Sequence, residues 1–152
     1  MAEHGRYVYE WPRPMVTVDA IIFARTATVQ VLLIKRGCEP FKDKWAFPGG
    51  FIEMDEELED AVARELREET GLAGVTLRQM HTFGGIGRDP RGRLITVAFI
   101  GVTDPDNMEL NFGDDAADAA WFDIAALPEM AFDHREVANM AIERYHRMAD
   151  PL

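Results

Sequence analysis

Residues 50–72, GFIEMDEELEDAVARELREETGL, decide the fold because they predict one amphipathic helix. Asp55 is a suitable N-cap, and Gly71 is suited to the left-handed conformation that ends helices. The residues between them are good helix formers, and none is proline. An apolar side chain recurs every four residues, at Leu58, Val62 and Leu66. This spacing predicts a single apolar stripe that packs against the rest of the protein.

The same helix carries an acidic face beside that stripe. Three carboxylates lie at positions i, i+3 and i+4, where helical side chains are neighbours: Glu65, Glu68 and Glu69. Residues 50–72 hold nine acids and two arginines, a net charge of −7 out of −11 for the whole chain. A solvated acidic helix is the alternative reading. Such clustered charges repel one another unless a cation lies among them, which favours a site for Mg²⁺.

The rest of the chain predicts a β-rich α+β domain with a mixed sheet. Strands are indicated by runs of β-branched and other apolar residues at 14–24, 28–36, 75–83, 94–102 and 119–122. Residues 45–48 are a short extended piece, and 134–148 predict a second long helix. Asp89 to Gly92, DPRG, suits a type I turn between two strands.

The fixed residues of 50–72 match the Nudix hydrolase signature, G-x5-E-x7-R-E-U-x-E-E-x-G-U with U apolar. All its positions are present: Gly50, Glu56, Arg64, Glu65, Leu66, Glu68, Glu69, Gly71 and Leu72. The chain therefore resembles enzymes that cleave a nucleoside diphosphate linked to a group X, using Mg²⁺ or Mn²⁺. The resemblance implies the Nudix α-β-α sandwich, with residues 1–152 as one domain, 1–13 as an N-terminal arm and 50–72 as the Nudix box.

The resemblance also implies roles for residues of the box. Glu68 and Glu69 correspond to the main metal ligands, and Glu65 to a third ligand or the general base. The carbonyl of Gly49 is implied as a further ligand. Arg64 is expected to pair with a neighbouring glutamate and fix its rotamer.

A second acidic site is expected in the segment GDDAADAAWF, residues 113–122. In related enzymes a carboxylate from this loop joins the metal site or acts as the base, and Asp115 is the residue that we assign to this role. An ordinary aspartate-rich turn is the alternative.

Similarity to the ADP-ribose pyrophosphatase branch extends over most of the chain. It is carried by KRGCEPFKDKWAFPGGFIE (35–53), GRDPRGRLITVAFIG (87–101), residues 113–122 and AFDH (131–134). This branch implies hydrolysis of ADP-ribose to AMP and ribose 5-phosphate. The alternatives are action on nucleotide sugars, dinucleoside polyphosphates or nucleoside triphosphates, and an ADP-ribose-sensing module of a transcription regulator. The intact box and the lack of a basic helix pair argue against the sensor.

Four arginines are candidates for holding the substrate, because guanidinium groups match phosphate oxygens: Arg36, Arg88, Arg91 and Arg93. The last three surround the predicted hairpin turn, where arginines are often simply solvated. Phe41, Trp45 and Phe83 are candidates for stacking a base or ribose, with ordinary core packing as the alternative.

The N-terminal arm is a candidate contact between subunits. Its aromatic residues, Tyr7, Tyr9 and Trp11, would share one face of an extended segment, and the family resemblance favours a homodimer.

Composition restricts the partners and the compartment. A net charge of −11 argues against nucleic-acid binding. The chain has no serine, which excludes a serine nucleophile, and no apolar run long enough to span a membrane. One cysteine and no apolar leader predict a cytoplasmic protein.

Overall fold

The computed structural model describes residues 5–111 and 116–148. In these residues the chain forms seven strands and two helices. In chain order they are β1 (Met15–Arg25), β2 (Val29–Arg36), β3 (Trp45–Ala46), β4 (Gly49–Phe51), α1 (Leu58–Thr70), β5 (Arg78–Phe83), β6 (Leu94–Thr103), β7 (Ala116–Asp123) and α2 (His134–Arg147).

The sheet is organised around β1, which is buried from Thr17 to Ala24. The main strand order is β3-β2-β1-β6-β5, while β4 pairs with β1 and β7 pairs with β2. β1 and β6 are parallel, and the other pairs are antiparallel. One edge of β1 is shared, because β4 pairs with its beginning and β2 with its end. The sheet is therefore mixed, as predicted.

The two helices cover opposite faces of this sheet. Alternate residues of β1 point to opposite faces because strand side chains have a period of two. Val18, Ala20 and Ile22 pack in one core cluster with the buried stripe of α1. Ile21 and Phe23 pack in another with the buried residues of α2. The α-β-α sandwich predicted from the sequence is confirmed.

Helix α1 ends as predicted but begins later. Gly71 has φ of 76°, and its N–H donates to the carbonyl of Arg67 at 2.8 Å. The N-cap is Glu57, without a side-chain cap hydrogen bond, so the prediction of Asp55 as N-cap is wrong. Asp55 lies in a turn in which the N–H of Glu53 donates to the Glu56 carboxylate at 3.1 Å. This turn uses the residues that would otherwise form the first helical turn.

Two strands differ in length from their predictions. β7 begins at Ala116 rather than at residue 119, because it pairs with β2 as far as Arg36. β5 begins at Arg78, after residues 75–77 have passed close to Gly101. A Cβ at Gly101 would lie 2.8 Å from the carbonyl oxygen of Thr76, so this close approach depends on glycine.

The described part of the arm, residues 5–13, forms no helix or strand. Its aromatic side chains are exposed, and the rings of Tyr7 and Tyr9 are stacked with centroids 6.1 Å apart. The guanidinium of Arg13 lies 3.8 Å from the centroid of Tyr9. Within the described residues, no helix is both long and apolar enough to cross a membrane.

Replacing Gly71 by alanine is expected to destabilise the protein more than replacing Gly74. Both glycines have positive φ, 76° and 74°, so each alanine costs about 1 kcal/mol of backbone strain. A Cβ at Gly71 would also lie 3.0 Å from Asn111, whereas a Cβ at Gly74 would meet nothing within 4 Å. Urea denaturation of both variants measures the difference. Equal losses would contradict a packing role for the Gly71–Asn111 contact.

Candidate active site

The end of α1 is tied to the start of β4. The N–H of Gly49 donates to the carboxylate of Glu69 at 2.7 Å. Gly49 lies opposite Asp19 in the β1–β4 pair, and a Cβ on Gly49 would lie 2.3 Å from an oxygen of the Asp19 carboxylate. Three elements, β1, β4 and α1, therefore meet at one backbone position that tolerates only glycine.

The next residue, Gly50, lets Glu65 approach the backbone. A Cβ on Gly50 would lie 2.7 Å from Oε1 of Glu65 and 2.8 Å from its Oε2. Real side chains essentially never make such close contacts. The Glu65 carboxylate is thus packed directly against β4, and only glycine leaves room for it.

Arg64 gathers the acids of α1 and of the turn before it. Its Nε and Nη2 donate to the two oxygens of Glu56 at 2.6 and 2.9 Å, a bidentate pair. Its Nη1 donates to Glu65 at 2.9 Å and to Glu68 at 3.3 Å. The hydrogen bond to Arg64 lowers the pKa of Glu56, and the bond to Glu56 raises the pKa of Arg64. Arg64 is half sheltered and stays charged, so it fixes the positions of these carboxylates.

Glu65 and Glu69 are forced close together in a poorly solvated place. Burial raises the pKa of Glu65, and the hydrogen bond from Arg64 opposes this effect only in part. Burial also raises the pKa of Glu69 well above its usual range, and the nearby charges of Glu65 and Asp19 raise it further. Two carboxyl groups in this situation favour either a shared proton or a bound cation.

The donor set suits a hard divalent cation. Carboxylate and carbonyl oxygens are the ligands that Mg²⁺ takes from proteins. Among the described residues, no three His, Cys, Asp or Glu side chains already converge on one point. Glu68 is 47% exposed and is paired with Arg64, so it would have to turn from the arginine to join Glu65 and Glu69 at a metal ion. The chemistry of the donors fits Mg²⁺.

A small polar pocket, open to solvent, adjoins the acids at Gly50. It lies between the beginning of β1, the turn before β6 and the start of α2. Most of its polar lining comes from residues far apart in sequence: Thr17, Asp19, Arg36, Arg88, Asp89, Arg91 and His134. Its apolar lining includes Phe47 and Phe132.

Three of the four predicted arginines reach this pocket. Arg88 is paired with both oxygens of Asp133, at 2.9 and 2.7 Å. Arg91 is paired in the same way with Asp89, at 3.1 and 2.8 Å. Asp89 has a lowered pKa, because hydrogen bonds from the Arg91 side chain and backbone outweigh the opposing effect of burial.

Arg36 and Arg93 donate to backbone carbonyls, unlike Arg88 and Arg91, which pair with aspartates. In the described parts of the chain, the hydrogen bond of the Arg36 side chain is from Nε to the carbonyl of Pro40, at 2.7 Å. Within residues 5–111 and 116–148, no hydrogen bond is formed by its two terminal nitrogens. Arg93 does not line the pocket, and its Nη1 donates to the carbonyl of Gly84 at 2.7 Å.

The floor of the pocket contains a buried polar network that the sequence analysis did not find. Thr17 donates to Thr96 at 2.6 Å, and Thr96 donates to Asp19 at 2.9 Å. His134 Nδ1 accepts from the N–H of Phe47 at 3.0 Å. Burial raises the pKa of Asp19 and lowers the pKa of His134, which favours their neutral forms. A lone aspartate within the apolar run of β1 was the one sequence signal for this network.

The three aromatic residues predicted to stack a base or ribose, Phe41, Trp45 and Phe83, do not form one surface of the pocket. Trp45 packs on Phe122 with centroids 4.7 Å apart, and both Trp45 and Phe83 pack against the α2-side core. Phe41 is 38% exposed and contacts Phe132, with centroids 4.8 Å apart. Phe132 lines the pocket with φ of 51°, a conformation that a phenylalanine rarely adopts. The assignment of Asp115 lies outside the described residues.

Comparison with known proteins agrees with this architecture. The sequence profile of the NUDIX domain matches residues 13–140. The ADP-ribose pyrophosphatase of Methanocaldococcus jannaschii is 44% identical over 124 residues, which are 82% of this chain and 70% of that protein. The ADPR responsive transcriptional repressor NtrR of Acinetobacter baylyi is 33% identical, over 89% of this chain and 56% of the repressor.

A solved structure shares the fold closely. The NUDIX domain of Shewanella oneidensis NrtR, complexed with ADP ribose, superposes with a TM-score of 0.81 and 33% sequence identity. The superposition covers 88% of this chain and 90% of that domain. The profile match, the archaeal relative and the shared sandwich together establish that this chain belongs to the NUDIX domain family.

Proposed function

We propose that this protein is a Mg²⁺-dependent pyrophosphohydrolase that cleaves ADP-ribose to AMP and ribose 5-phosphate. The observation that carries the proposal is the contact of Glu65 and Glu69 with the Gly49–Gly50 backbone, next to an arginine-lined pocket. Acids for a metal and cations for a diphosphate are thus neighbours. The choice of ADP-ribose rests on the archaeal relative, which is named for that activity.

Glu65, Glu68, Glu69 and the carbonyl of Gly49 would hold Mg²⁺, with Mn²⁺ as a substitute. A bound divalent ion neutralises diphosphate charge and lowers the pKa of water. Arg64 orients Glu65 and Glu68 before the ion arrives, since it contacts both carboxylates in the free protein.

The reaction also needs a proton acceptor and a cation for the substrate. Glu65 is the proposed general base, because burial raises its pKa towards the working range of a base. Asp115 is kept as the alternative base. Arg36 is the proposed phosphate clamp, because it lines the pocket and lies near enough to Glu69 for their charges to interact. Arg88 and Arg91 are proposed to shape the pocket through their aspartate partners.

A sensor of ADP-ribose is the second candidate function. It is favoured by the similarity to a repressor described as ADPR responsive and to an NrtR domain complexed with ADP ribose. The complete acidic face of α1 argues for turnover instead. Hydrolysis of another nucleoside diphosphate derivative is the remaining alternative within the family.

Homodimer formation, the absence of nucleic-acid binding and a cytoplasmic location stay predictions. The exposed arm supports the first, because Tyr7 is 52% and Trp11 73% exposed. The net charge of −11 supports the second.

Glu68→Gln is expected to lower kcat for ADP-ribose on the order of 100-fold or more while leaving the melting temperature near that of the wild type, because it removes a metal ligand from an exposed position. Glu59→Gln, a change on the opposite side of α1, is the matched control and is expected to be fully active. Release of AMP and ribose 5-phosphate is followed by chromatography, with and without EDTA. The same assay is run on a panel of three other substrate classes: nucleotide sugars, dinucleoside polyphosphates and nucleoside triphosphates.

Each outcome of this experiment separates the candidates. If another compound of the panel is hydrolysed and ADP-ribose is not, that compound replaces ADP-ribose as the proposed substrate. The proposed metal ligands stay unchanged in that case. Tight ADP-ribose binding without turnover would establish the sensor. Full activity of Glu68→Gln would contradict the metal assignment.

Gly50→Ala is expected to fold but to bind Mn²⁺ more weakly, because the new Cβ displaces the Glu65 carboxylate. The measurement is the rise in melting temperature on addition of Mn²⁺. Gly85→Ala is the control, since a Cβ there would meet nothing within 4 Å. An unchanged response of Gly50→Ala to Mn²⁺ would show that the ion does not need Glu65 in this position.

A further inference from the structure

We propose that His134 is a positioning residue for the metal site: its imidazole holds the chain at Phe47, and this keeps Gly49 in place against the carboxylates of α1. The inference rests on the proposed function, because it assigns a residue of α2 to the support of the proposed metal ligands. His134 acts through the backbone and is not itself a ligand.

Residues 47–49, which lead from β3 into β4, are held one by one by three different elements. The N–H of Phe47 donates to Nδ1 of His134, at the start of α2, at 3.0 Å. The carbonyl of the next residue, a proline, accepts from the N–H of Ala20 in β1 at 2.8 Å. The N–H of the last, a glycine, donates to Glu69 of α1 at 2.7 Å. Both helices therefore fix this short segment, from opposite faces of the sheet.

The imidazole of His134 takes the place of a backbone carbonyl. Before α2 begins, the chain runs parallel to β3: the N–H of Trp45 donates to the carbonyl of Glu129 at 3.2 Å, and the N–H of Ala131 donates to the carbonyl of Trp45 at 2.8 Å. In a continued parallel ladder, the N–H of Phe47 would donate to the carbonyl of Ala131. That carbonyl instead accepts from the N–H of His134 at 3.1 Å, where α2 begins. The His134 side chain supplies the acceptor that the ladder has lost.

The acceptor role defines the state of the ring. A ring nitrogen that accepts a hydrogen bond carries no proton, so in the neutral ring of His134 the proton is on Nε2. Burial lowers the pKa of His134, which favours this neutral form. Phe47 is 2% exposed, and a buried N–H that loses its acceptor is unfavourable. Removal of the imidazole acceptor is therefore expected to shift the chain at Phe47.

A shift at Phe47 reaches Gly49 because little between them can absorb it. A single proline joins the two residues, and its ring restricts the backbone. Gly49 is itself confined by β1: a Cβ there would lie 2.2 Å from the carbonyl oxygen of Val18 and 2.3 Å from a carboxylate oxygen of Asp19. His134 thus supports the contact between Gly49 and α1 from the far side of the sheet.

Mn²⁺ affinity in the absence of substrate tests this role, because it requires no turnover. His134→Leu removes the acceptor and is expected to weaken Mn²⁺ binding about tenfold, the order of effect of groups that orient metal ligands. His134→Asn has the same branching as leucine but places an amide oxygen where Nδ1 lies, and it is expected to restore most of the affinity. The concentration of free Mn²⁺ is measured by electron paramagnetic resonance.

Hydrogen exchange of the Phe47 amide in the metal-free protein is the second measurement, followed by NMR. Exchange is expected to be faster in His134→Leu than in the wild type and close to the wild-type rate in His134→Asn. His134→Phe keeps an aromatic ring without an acceptor, and it replaces His134→Leu if the leucine variant does not fold.

Tyr145→Leu is the control for a general loss of stability. Tyr145 is also buried, but it packs on Phe23 at the other end of α2, with ring centroids 4.7 Å apart. This variant is expected to lower the melting temperature and to leave Mn²⁺ affinity at the wild-type value.

The outcomes separate this inference from the proposed function. Equal Mn²⁺ affinity of His134→Leu and the wild type would overturn the inference, and so would a loss that His134→Asn does not restore or that Tyr145→Leu shares. A wild-type protein that binds no Mn²⁺ would refute the proposed metal site and the inference with it. Mn²⁺ binding without hydrolysis of ADP-ribose or of any compound in the panel would refute only the proposed hydrolase.

Discussion

The close contact between the Gly49–Gly50 backbone and two carboxylates of α1 is the constraint on which the site depends. Glu69 accepts from the N–H of Gly49, and the Glu65 carboxylate lies 2.7 Å from where a Cβ of Gly50 would be. The contact brings like charges together in a sheltered place, and the resulting repulsion is balanced only in part by Arg64. The fold thus holds an arrangement that is unfavourable alone and that a cation would stabilise.

The features that follow from local spacing were predictable from the sequence. Helical periodicity is enough to predict the apolar stripe and the acidic face of α1. The end of the helix at Gly71 can be predicted because glycine tolerates positive φ. The N-cap prediction was wrong because Glu56 pairs with Arg64, which draws the preceding residues into a turn. Of the four arginines that the sequence indicated as candidates for holding the substrate, three line the pocket.

Features that depend on tertiary pairing were not predictable. The buried polar network forms because Asp19 accepts a hydrogen bond from Thr96, across the parallel β1–β6 pair, and lies 3.7 Å from His134, at the start of α2. No local pattern connects residues so far apart in sequence. The helices cover opposite faces of the sheet, and among the described residues the acids of α1 adjoin the pocket at Gly50 of β4.

The most direct measurement is a crystal structure of the protein with Mn²⁺ and an ADP-ribose analogue whose bridging diphosphate oxygen is replaced by a methylene group. We predict an anomalous Mn²⁺ peak coordinated by carboxylate oxygens of α1, with Glu68 turned away from Arg64 and the diphosphate between the ion and Arg36. A Mn²⁺ ion bound elsewhere, with Glu65 and Glu69 still packed against β4 and uncoordinated, would contradict the account.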